Sequence, residues 1–223
     1  MRVDVPETPE DRLADVLESR TEPRPVSAGQ LRSTAVHGLR ALGRLDRDVY
    51  GRVAELSTPT LDIPLRRLSH FANHSKPWFL VAGLLAVTGG RQGRRAAATG
   101  VAAIGVTSLV VNQPMKLAGD RARPDREGAG VPEERWVRMP TSSSFPSGHS
   151  ASAATFAVAV GDVLPALRWP LRVAAGVVAF SRVYTGVHYP GDVAAGVLSG
   201  IAIGRSTTAL GRRISARQAA VRP

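Results

Sequence analysis

The pattern of apolar and polar residues over positions 36–56 predicts a basic amphipathic helix. Apolar side chains recur there at steps of three and four residues, the spacing of one helix face. They are Val36, Leu39, Leu42, Leu45, Val49, Val53 and Leu56, and the other face carries Arg40, Arg44, Arg47 and Arg52. The pattern breaks at Thr58-Pro59-Thr60 and resumes over residues 65–68. Such a helix either packs on a soluble core or lies in a membrane interface, and the local pattern leaves both open.

Five apolar runs follow this helix and predict a helical bundle in a membrane. The runs cover residues 78–87, 96–111, 151–167, 171–180 and 193–204. A membrane-spanning helix needs about 20 apolar residues, and several of the runs are shorter. Their alanine and glycine content, however, suits the close packing of helices in a bilayer. We therefore expect an all-α, multi-span transmembrane helix bundle with an N-terminal amphipathic helical region.

The composition divides the chain into four regions. Residues 1–34 are polar and show little periodicity, which predicts a disordered tail. They lack the basic patch and following apolar run of a secretory signal, so we expect no cleaved export. Residues 35–76 form the predicted interfacial helical region, 77–206 the membrane core, and 207–223 a basic cytoplasmic tail.

The placement of arginines predicts which connections face the cytoplasm. Arginines cluster after the first, third and fifth apolar runs, at positions 91, 94, 95, 168, 172, 205, 212, 213 and 217. Because basic connections stay on the cytoplasmic side, the long connection 116–145 and the short one around His188 are expected to face outward. With five spans the basic N-terminal helix would lie on the outer side unless part of it crosses, and the sequence leaves this open.

The composition then narrows the class of function. A net charge of +11 and a pI near 11.4 favour an anionic partner, such as a phospholipid, a nucleic acid or a phosphorylated substrate. The absence of cysteine excludes thiolate metal sites and cysteine nucleophiles. Aromatic residues make up only 5%, which argues against stacking of single-stranded nucleic acid. Lys76 and Lys116 are the only lysines in this arginine-rich chain, which suggests that a lysine retained at 116 serves a compact ammonium site.

The first outward connection contains residues suited to binding phosphate. Lys116 is followed after six residues by Arg123-Pro124, and Pro146-Ser147-Gly148-His149 begins a predicted helix. The N–H groups of Ser147, Gly148 and His149, with the Ser147 hydroxyl, would bind an anion at the positive end of the helix dipole. His149 would protonate a leaving oxygen. Taken alone, Lys116 and Arg123 could flank the end of a span, and Ser147 could simply cap the helix.

The second outward connection contains a histidine and a carboxylate four residues apart. A carboxylate placed like Asp192 can hold one imidazole nitrogen of His188 and leave the other free as a nucleophile. Arg182, six residues before His188, would place a guanidinium on the same phosphate. Taken alone, His188 could be an interfacial histidine and Asp192 a helix cap.

Together these residues form three ordered motifs, Lys-x6-Arg-Pro, Pro-Ser-Gly-His and Ser-Arg-x5-His-x3-Asp, without a mismatch. Over residues 78–204 the chain thereby resembles the bacterial membrane branch of the type 2 phosphatidic acid phosphatase family. The resemblance implies that His188 forms a phosphohistidine, that Asp192 orients it, and that His149 protonates the leaving oxygen and later activates water. It also implies a phosphate-binding set that needs no metal and no other cofactor, made of Lys116, Arg123, Ser147, Gly148 and Arg182.

The resemblance further implies a multi-pass lipid phosphatase of the plasma membrane whose site faces the extracytoplasmic side. Its expected partners are membrane lipids and a lipid phosphate or diphosphate, either a polyprenyl carrier or a phospholipid, and no nucleic acid. The motifs bind only the shared phosphate, so they distinguish neither the lipids nor the oligomeric state. Two alternatives remain open. A mean hydropathy of −0.04 favours a soluble-type acid phosphatase or vanadium haloperoxidase, and the arginine-rich helix favours a non-enzymatic basic membrane-surface protein.

Overall fold

The computed structural model describes residues 28–116 and 120–221, which contain helices, turns and irregular segments but no β-strand. The helices are α1 (Ala28–Ala54), α2 (Pro59–Phe71), α3 (Lys76–Thr88), α4 (Gly90–Val110), α5 (Gly148–Val163), α6 (Arg168–Tyr184) and α7 (Pro190–Val221). A π-helical turn, Val111–Met115, extends α4, and short 3₁₀ turns occur at Asn73–Ser75, Glu133–Arg135 and Pro165–Leu167. The prediction of an all-α fold is confirmed.

The chain divides into two units, Met1–Arg44 and Leu45–Pro223. In the first unit the described residues 28–44 form the beginning of α1. This helix starts inside the region predicted as a tail, because Ala28 begins a stretch of good helix formers. The rest of that predicted tail, residues 1–27, lies outside the described residues. The second unit holds the last turns of α1 and the helices α2 to α7, and every contact described below lies within it.

Helix α5 lies at the centre of the second unit. Residues 150–161 of this helix are all buried, and α5 packs against α4, α6 and α7. Most of these residues are small, so the neighbouring helices approach closely. Phe156 is the large exception, and its ring lies 5.5 Å from that of Trp78 in α3, measured between ring centroids. This contact joins α3 to the main apolar cluster.

A row of three glycines, which we call the glycine seam, sets the contact between α5 and α7. A methyl group on Gly196 would lie 2.4 Å from the Ser147 carbonyl oxygen, and one on Gly200 would lie 2.3 Å from that of Ala151. At Gly204, one turn further on, the corresponding distance to the Thr155 carbonyl oxygen is 3.0 Å. Since backbone atoms cannot move aside as side chains do, positions 196 and 200 require glycine, and position 204 leaves little room for a larger residue. The seam holds the first turns of α5 and α7 side by side.

Arginines anchor the long connection between α4 and α5. Arg135 is 1% exposed and pairs with Asp62 of α2 at 2.7 Å. Its two other nitrogens donate to carbonyl oxygens at the end of α1, on Val53, Ala54 and Leu56. Arg126 donates to the Val137 carbonyl at 2.7 Å and stacks on Trp136. The connection is therefore fixed to α1 and α2, although a single short helical turn, Glu133–Arg135, is all the helix that its described residues contain.

Two helical segments, Gly90–Met115 and Pro190–Gln218, are long and apolar enough to cross a membrane. They contain the second and fifth predicted runs. The helices of the other runs, α3, α5 and α6, have 13, 16 and 17 residues. Large apolar side chains cover the outer faces of α3, α4, α6 and α7, including Leu84, Val87, Leu109, Val173 and Leu198. Helix α7 continues past residue 204, where the apolar run ends, through the predicted C-terminal tail to Val221.

Candidate active site

The residues of the three motifs meet at one end of the bundle. Lys116 follows the π-helical turn that ends α4, Gly148 begins α5, and His188 lies in the turn between α6 and α7. The chain reverses in this turn at Gly186, whose φ of 71° lies in the left-handed region that favours glycine. The turn brings His188 against the connection between α4 and α5. All three predicted motifs therefore contribute to a single cluster.

His188 is buried and has polar neighbours at both ring nitrogens. Nδ1 lies 3.6 Å from Oδ2 of Asp192 and 3.5 Å from Oγ of Ser144, and Nε2 lies 3.3 Å from Nη1 of Arg123. Burial, with Arg182 and Arg123 nearby, lowers the pKa of His188 to about 4, although Asp192 acts in the opposite direction. The ring is therefore neutral at pH 7. A proton on Nδ1, facing the carboxylate, leaves the Nε2 lone pair beside the arginine.

Asp192 is both a helix cap and a neighbour of the His188 ring, the two alternatives that the sequence left open. It is the third residue of α7, and its Oδ2 accepts from the N–H of Tyr189 at 2.9 Å, which caps the helix start. The same oxygen faces His188 and accepts from the hydroxyl of Ser144. Its Oδ1 accepts from Nη1 of Arg121 at 2.8 Å. With every contact in place and no exposure to solvent, the carboxylate is fixed behind the imidazole.

Three cations cluster on the side of His188 where Arg123 lies. Lys116 donates to Oγ of Ser142 at 2.9 Å, and Arg123 donates to the carbonyls of Val187, Ser142 and Ser143. Arg182 is 1% exposed, and its Nε is buried without a partner among the described residues. Burial lowers the pKa of Lys116, and the neighbouring Arg123 and Arg182 lower it further. Cations that lie this close repel one another, so the cluster favours an anion.

Hydrogen bonds to α2 fix the orientation of the Arg182 side chain. Its Nη1 donates to Oγ of Ser69 at 2.6 Å and to the Ser69 carbonyl oxygen at 3.1 Å. Ser69 itself is completely buried and lies 3.3 Å from the hydroxyl of Thr185. A guanidinium fixed through one nitrogen keeps its remaining N–H groups available for a ligand. The sequence predicted Arg182 but not its partner, which lies 113 positions away.

The first turn of α5 differs from the predicted anion site in one respect. The N–H of Ser147 donates to the carbonyl of Asp192 at 3.0 Å, so this group is not available to a phosphate. The Ser147 hydroxyl caps α5 by accepting from the N–H and the hydroxyl of Ser150. The N–H groups of Gly148 and His149 have no protein acceptor in the described parts of the chain. At the start of α5, the N–H groups that remain available to an anion are therefore those of Gly148 and His149.

His149 is oriented by a residue that the motifs do not contain. Its Nε2 lies 2.9 Å from Oδ1 of Asn73, in the 3₁₀ turn between α2 and α3. The next two residues, His74 and Ser75, have positive φ angles of 56° and 59°, which direct the chain from α2 into α3. One nitrogen of His149 is thus engaged with the side chain of Asn73.

Besides Ser69, the sequence did not predict Arg121, Ser144, Asn73 or Asp46, and only the first two of these carry a sequence signal. Arg121 lies inside the first motif, two positions before Arg123, and Ser144 belongs to the serine run before Pro146. Asn73 and Asp46 belong to the region that matched no motif. Their contacts cross 76 and 75 positions of sequence, so no local pattern reveals them.

A helical bundle that gathers three cations around a histidine–aspartate pair has the features of a phosphate-processing enzyme. The chain belongs to the PAP2 superfamily, whose family model matches residues 96–215. The resemblance inferred from the three motifs is therefore confirmed. So is the prediction of a phosphatase that hydrolyses phosphate esters, since the named relatives are phosphatases.

The curated relatives come from bacteria and an archaeon. The chain is 33% identical over 162 residues to decaprenylphosphoryl-5-phosphoribose phosphatase of Mycobacterium tuberculosis strain H37Rv, which covers 71% of this chain and 85% of that protein. The Mycolicibacterium smegmatis protein of the same name is 34% identical over 59% of this chain and 68% of its own. Undecaprenyl-diphosphatase of Sulfolobus acidocaldarius is 47% identical over 62 residues, which is 27% of this chain and 30% of that protein.

Two solved structures share the fold. The PAP2-type phosphatidylglycerolphosphate phosphatase of Bacillus subtilis, described as transmembrane, superposes with a TM-score of 0.60 over 78% of this chain and 88% of its own, at 24% identity. Aquifex aeolicus LpxE superposes with a TM-score of 0.58 over 73% of this chain and 94% of its own, also at 24% identity. At this level of identity the likeness establishes the helical fold and the order of its helices.

Proposed function

We propose that this protein is a multi-pass membrane phosphatase that hydrolyses a lipid phosphate or diphosphate through a phosphohistidine on His188, without a metal. The observation that carries the proposal is the placement of the His188 ring. Nε2 lies 3.3 Å from Arg123 among the three cations, and Nδ1 faces the buried carboxylate of Asp192. A neutral imidazole held in this way is a nucleophile directed at a bound anion.

In the first step, Nε2 of His188 attacks phosphorus and the bond from phosphorus to the lipid oxygen breaks. His149 donates a proton to that oxygen, and the lipid leaves as an alcohol or a lipid monophosphate. Asp192 stabilises the positive charge that the imidazole gains. Lys116, Arg123, Arg182 and the N–H of Gly148 hold the phosphoryl oxygens, which supplies the electrostatic stabilisation that dominates phosphoryl transfer.

In the second step, water attacks the phosphohistidine. His149, now neutral, takes a proton from the water, the bond between Nε2 and phosphorus breaks, and inorganic phosphate forms. The cationic cluster serves both steps because the transferred group stays among the same side chains. Ser147 contributes through the cap of α5, which holds the N–H groups of Gly148 and His149 in position.

The exposed apolar faces of α3, α4, α6 and α7 support a multi-pass location, since soluble monomers rarely expose apolar patches of that extent. Helices of 16 and 17 residues are about 24–26 Å long at about 1.5 Å per residue, slightly less than a bilayer core. The alternating arginine-rich connections favour an extracytoplasmic position for the active-site end. The long connection and the turn that carries His188 would then meet substrate outside the plasma membrane.

The names of the relatives favour a polyprenyl substrate. The mycobacterial relatives are decaprenylphosphoryl-5-phosphoribose phosphatases and the archaeal relative is an undecaprenyl-diphosphatase. We therefore infer a polyprenyl phosphate derivative or diphosphate as the substrate, with a phospholipid phosphate as the alternative. Both present the same phosphate to the cluster and a long apolar chain to the bilayer.

The proposal is tested by phosphate release from detergent-purified protein with EDTA present. The substrates are a polyprenyl diphosphate, a polyprenyl phosphate sugar, phosphatidylglycerophosphate and phosphatidic acid. We expect release that EDTA leaves unchanged, and an alkali-stable, acid-labile label on the protein from ³²P-labelled substrate. The label should be absent in His188→Gln. His70→Ala, at an exposed histidine of α2, is the matched control and should retain both phosphate release and the label.

Three outcomes would contradict the proposal. Activity in His188→Gln would remove the nucleophile, and loss of activity in EDTA would require a metal. Release from soluble phosphoesters alone, or vanadate-dependent halide oxidation, would favour the soluble-type alternative. Because His188 is buried, thermal unfolding of His188→Gln must be measured to separate loss of chemistry from loss of fold.

A further inference from the structure

We propose that Asp46 and Arg121 are positioning residues that hold Asp192 and the α6–α7 turn in their working geometry. The inference rests on the proposed function, because it assigns the two residues through their contact with the partner of the nucleophile. Arg121 stands at an unspecified position of the first motif, and Asp46 comes from α1, outside the matched family region.

Arg121 joins two carboxylates. Its Nη1 donates to Oδ1 of Asp192 at 2.8 Å, and its Nη2 donates to Oδ2 of Asp46 at 2.6 Å. The guanidinium carbon lies 4.2 Å above the centre of the Tyr189 ring, and Tyr50 of α1 packs edge-on against that ring at 5.4 Å. The hydrogen bonds to the two carboxylates therefore fix both terminal nitrogens of Arg121, and the Tyr189 ring fixes the face of its guanidinium.

Asp46 also binds the turn directly. Its Oδ1 accepts from the N–H of Gly191 at 2.6 Å, which satisfies a free donor in the first turn of α7. A methyl group on Gly191 would lie 3.0 Å from the other carboxylate oxygen of Asp46, so glycine permits this close approach. A single side chain of α1 thus contacts α7 twice, once through Gly191 and once through Arg121.

The consequence for His188 follows from how the Asp192 oxygens are divided. Arg121 binds Oδ1 of Asp192. The other oxygen, Oδ2, faces the imidazole and accepts from the Tyr189 N–H and the Ser144 hydroxyl. Without Asp46, the whole positive charge of Arg121 would act on Asp192. It would then weaken the stabilisation that Asp192 gives to the imidazole cation during attack. Asp46 shares the guanidinium and so leaves more of the negative charge on Asp192. Losing Asp46 should therefore slow phosphoryl transfer, because the guanidinium charge then acts on Asp192 alone. Losing Arg121 should slow it because Oδ1 of Asp192 is no longer held, and neither loss should weaken phosphate binding.

The test compares kcat and KM in full-length protein for Asp46→Ala, Arg121→Ala and the double variant. Each single variant should lower kcat by about tenfold or more, with KM changed by less than about twofold. The double variant should be no slower than Arg121→Ala, because Asp46 acts largely through Arg121. Arg121→Lys should recover little, since one ammonium cannot bridge two carboxylates.

Two controls separate positioning from general support of the fold. Arg126→Ala removes an arginine of the same connection that also stacks on an aromatic ring but contacts no site carboxylate, and Asp48→Asn changes an exposed carboxylate of α1. Both should leave kcat unchanged. The Arg121 side chain is 30% exposed, so added guanidinium ion should enter the gap in Arg121→Ala and restore part of kcat.

Unchanged kcat in Asp46→Ala, a loss confined to KM, or a loss equal to that of Arg126→Ala would overturn the inference. Absence of rescue, combined with a lowered unfolding temperature in Arg121→Ala, would assign a purely structural role and also overturn it. If His188→Gln abolishes turnover while these variants do not slow it, only this inference fails. If His188→Gln is active, the proposed function fails first.

Discussion

Replacing Gly200 with alanine should push α5 and α7 apart, and the size of the effect can be worked out from the glycine seam. The new methyl carbon would lie 2.3 Å from the carbonyl oxygen of Ala151 and 3.0 Å from Cβ of Ala154. Ordinary van der Waals contacts begin at 3.4 Å, so the helices must separate locally by about 1 Å. Overpacking of this kind costs about 1–3 kcal/mol. The 2.9 Å hydrogen bond from Thr155 to the Gly200 carbonyl would weaken as well.

This destabilisation should also affect catalysis, because α5 and α7 carry His149 and Asp192 in their first turns. We expect Gly200→Ala to lower the unfolding temperature in detergent and to reduce kcat/KM. Gly105→Ala in α4 is the matched control, since no heavy atom lies within 4 Å of its added methyl group. In an open helical site alanine stabilises by up to about 1 kcal/mol, so this control should melt at the same temperature or higher.

The two measurements together test the reasoning. Gly196→Ala should resemble Gly200→Ala, whereas Gly204→Ala should be milder because its closest contact is 3.0 Å. If Gly200→Ala melts and turns over like Gly105→Ala, the seam does not fix the site. A lowered unfolding temperature with unchanged kcat/KM would show that packing and active-site geometry are independent.

Three further predictions concern the groups around the proposed phosphate site. The pKa of His188 is about 4 in the folded protein, below its ordinary value of 6.5, so the unfolded chain takes up a proton at a higher pH than the folded one. The free energy of unfolding should therefore fall by about 3 kcal/mol between pH 6.5 and pH 4, and thermal melts of His188→Gln should show a smaller loss. Ser69→Ala removes the 2.6 Å hydrogen bond to Arg182 and should raise KM by about tenfold, since bonds to charged groups contribute about 1.5–3 kcal/mol; an unchanged KM would show that the Ser69 carbonyl alone aims Arg182. Asn73→Ala should slow hydrolysis of an alkyl phosphate more than that of nitrophenyl phosphate, whose leaving group needs no proton from His149, and equal slowing would contradict that role.

The sequence predicted the part of the site that depends on short spacing. His188 and Asp192 are four residues apart across one turn, and the ordered motifs supplied Lys116, Arg123 and Arg182, so the cluster could be inferred from the chain alone. The prediction about the Ser147 N–H was wrong because its acceptor is the Asp192 carbonyl on another helix. Local sequence indicates that a helix begins at this point but not what packs against its first turn.

The fold was predicted at the level of helices and less well at their ends. The all-α class followed from the periodicity and the apolar runs, and the break at Thr58 matches the start of α2. The apolar run of α7 ends at Gly204, yet the helix continues to Val221, because Arg and Ala residues favour helix without needing burial. The contacts of Asp46 and Asn73 arise from tertiary packing, and no pattern in residues 35–76 distinguishes them from other polar positions.

The arginines of the connection between α4 and α5 have a consequence for how this segment acquires its shape. Long irregular loops are commonly held by disulfides or by bound metals. Here Arg121, Arg123, Arg126 and Arg135 bind carboxylates and carbonyls of α1, α2 and the connection itself. The chain contains no cysteine. The ordering of this loop is therefore independent of redox conditions, and it requires none of the thiol-oxidising machinery on which disulfide-anchored loops depend.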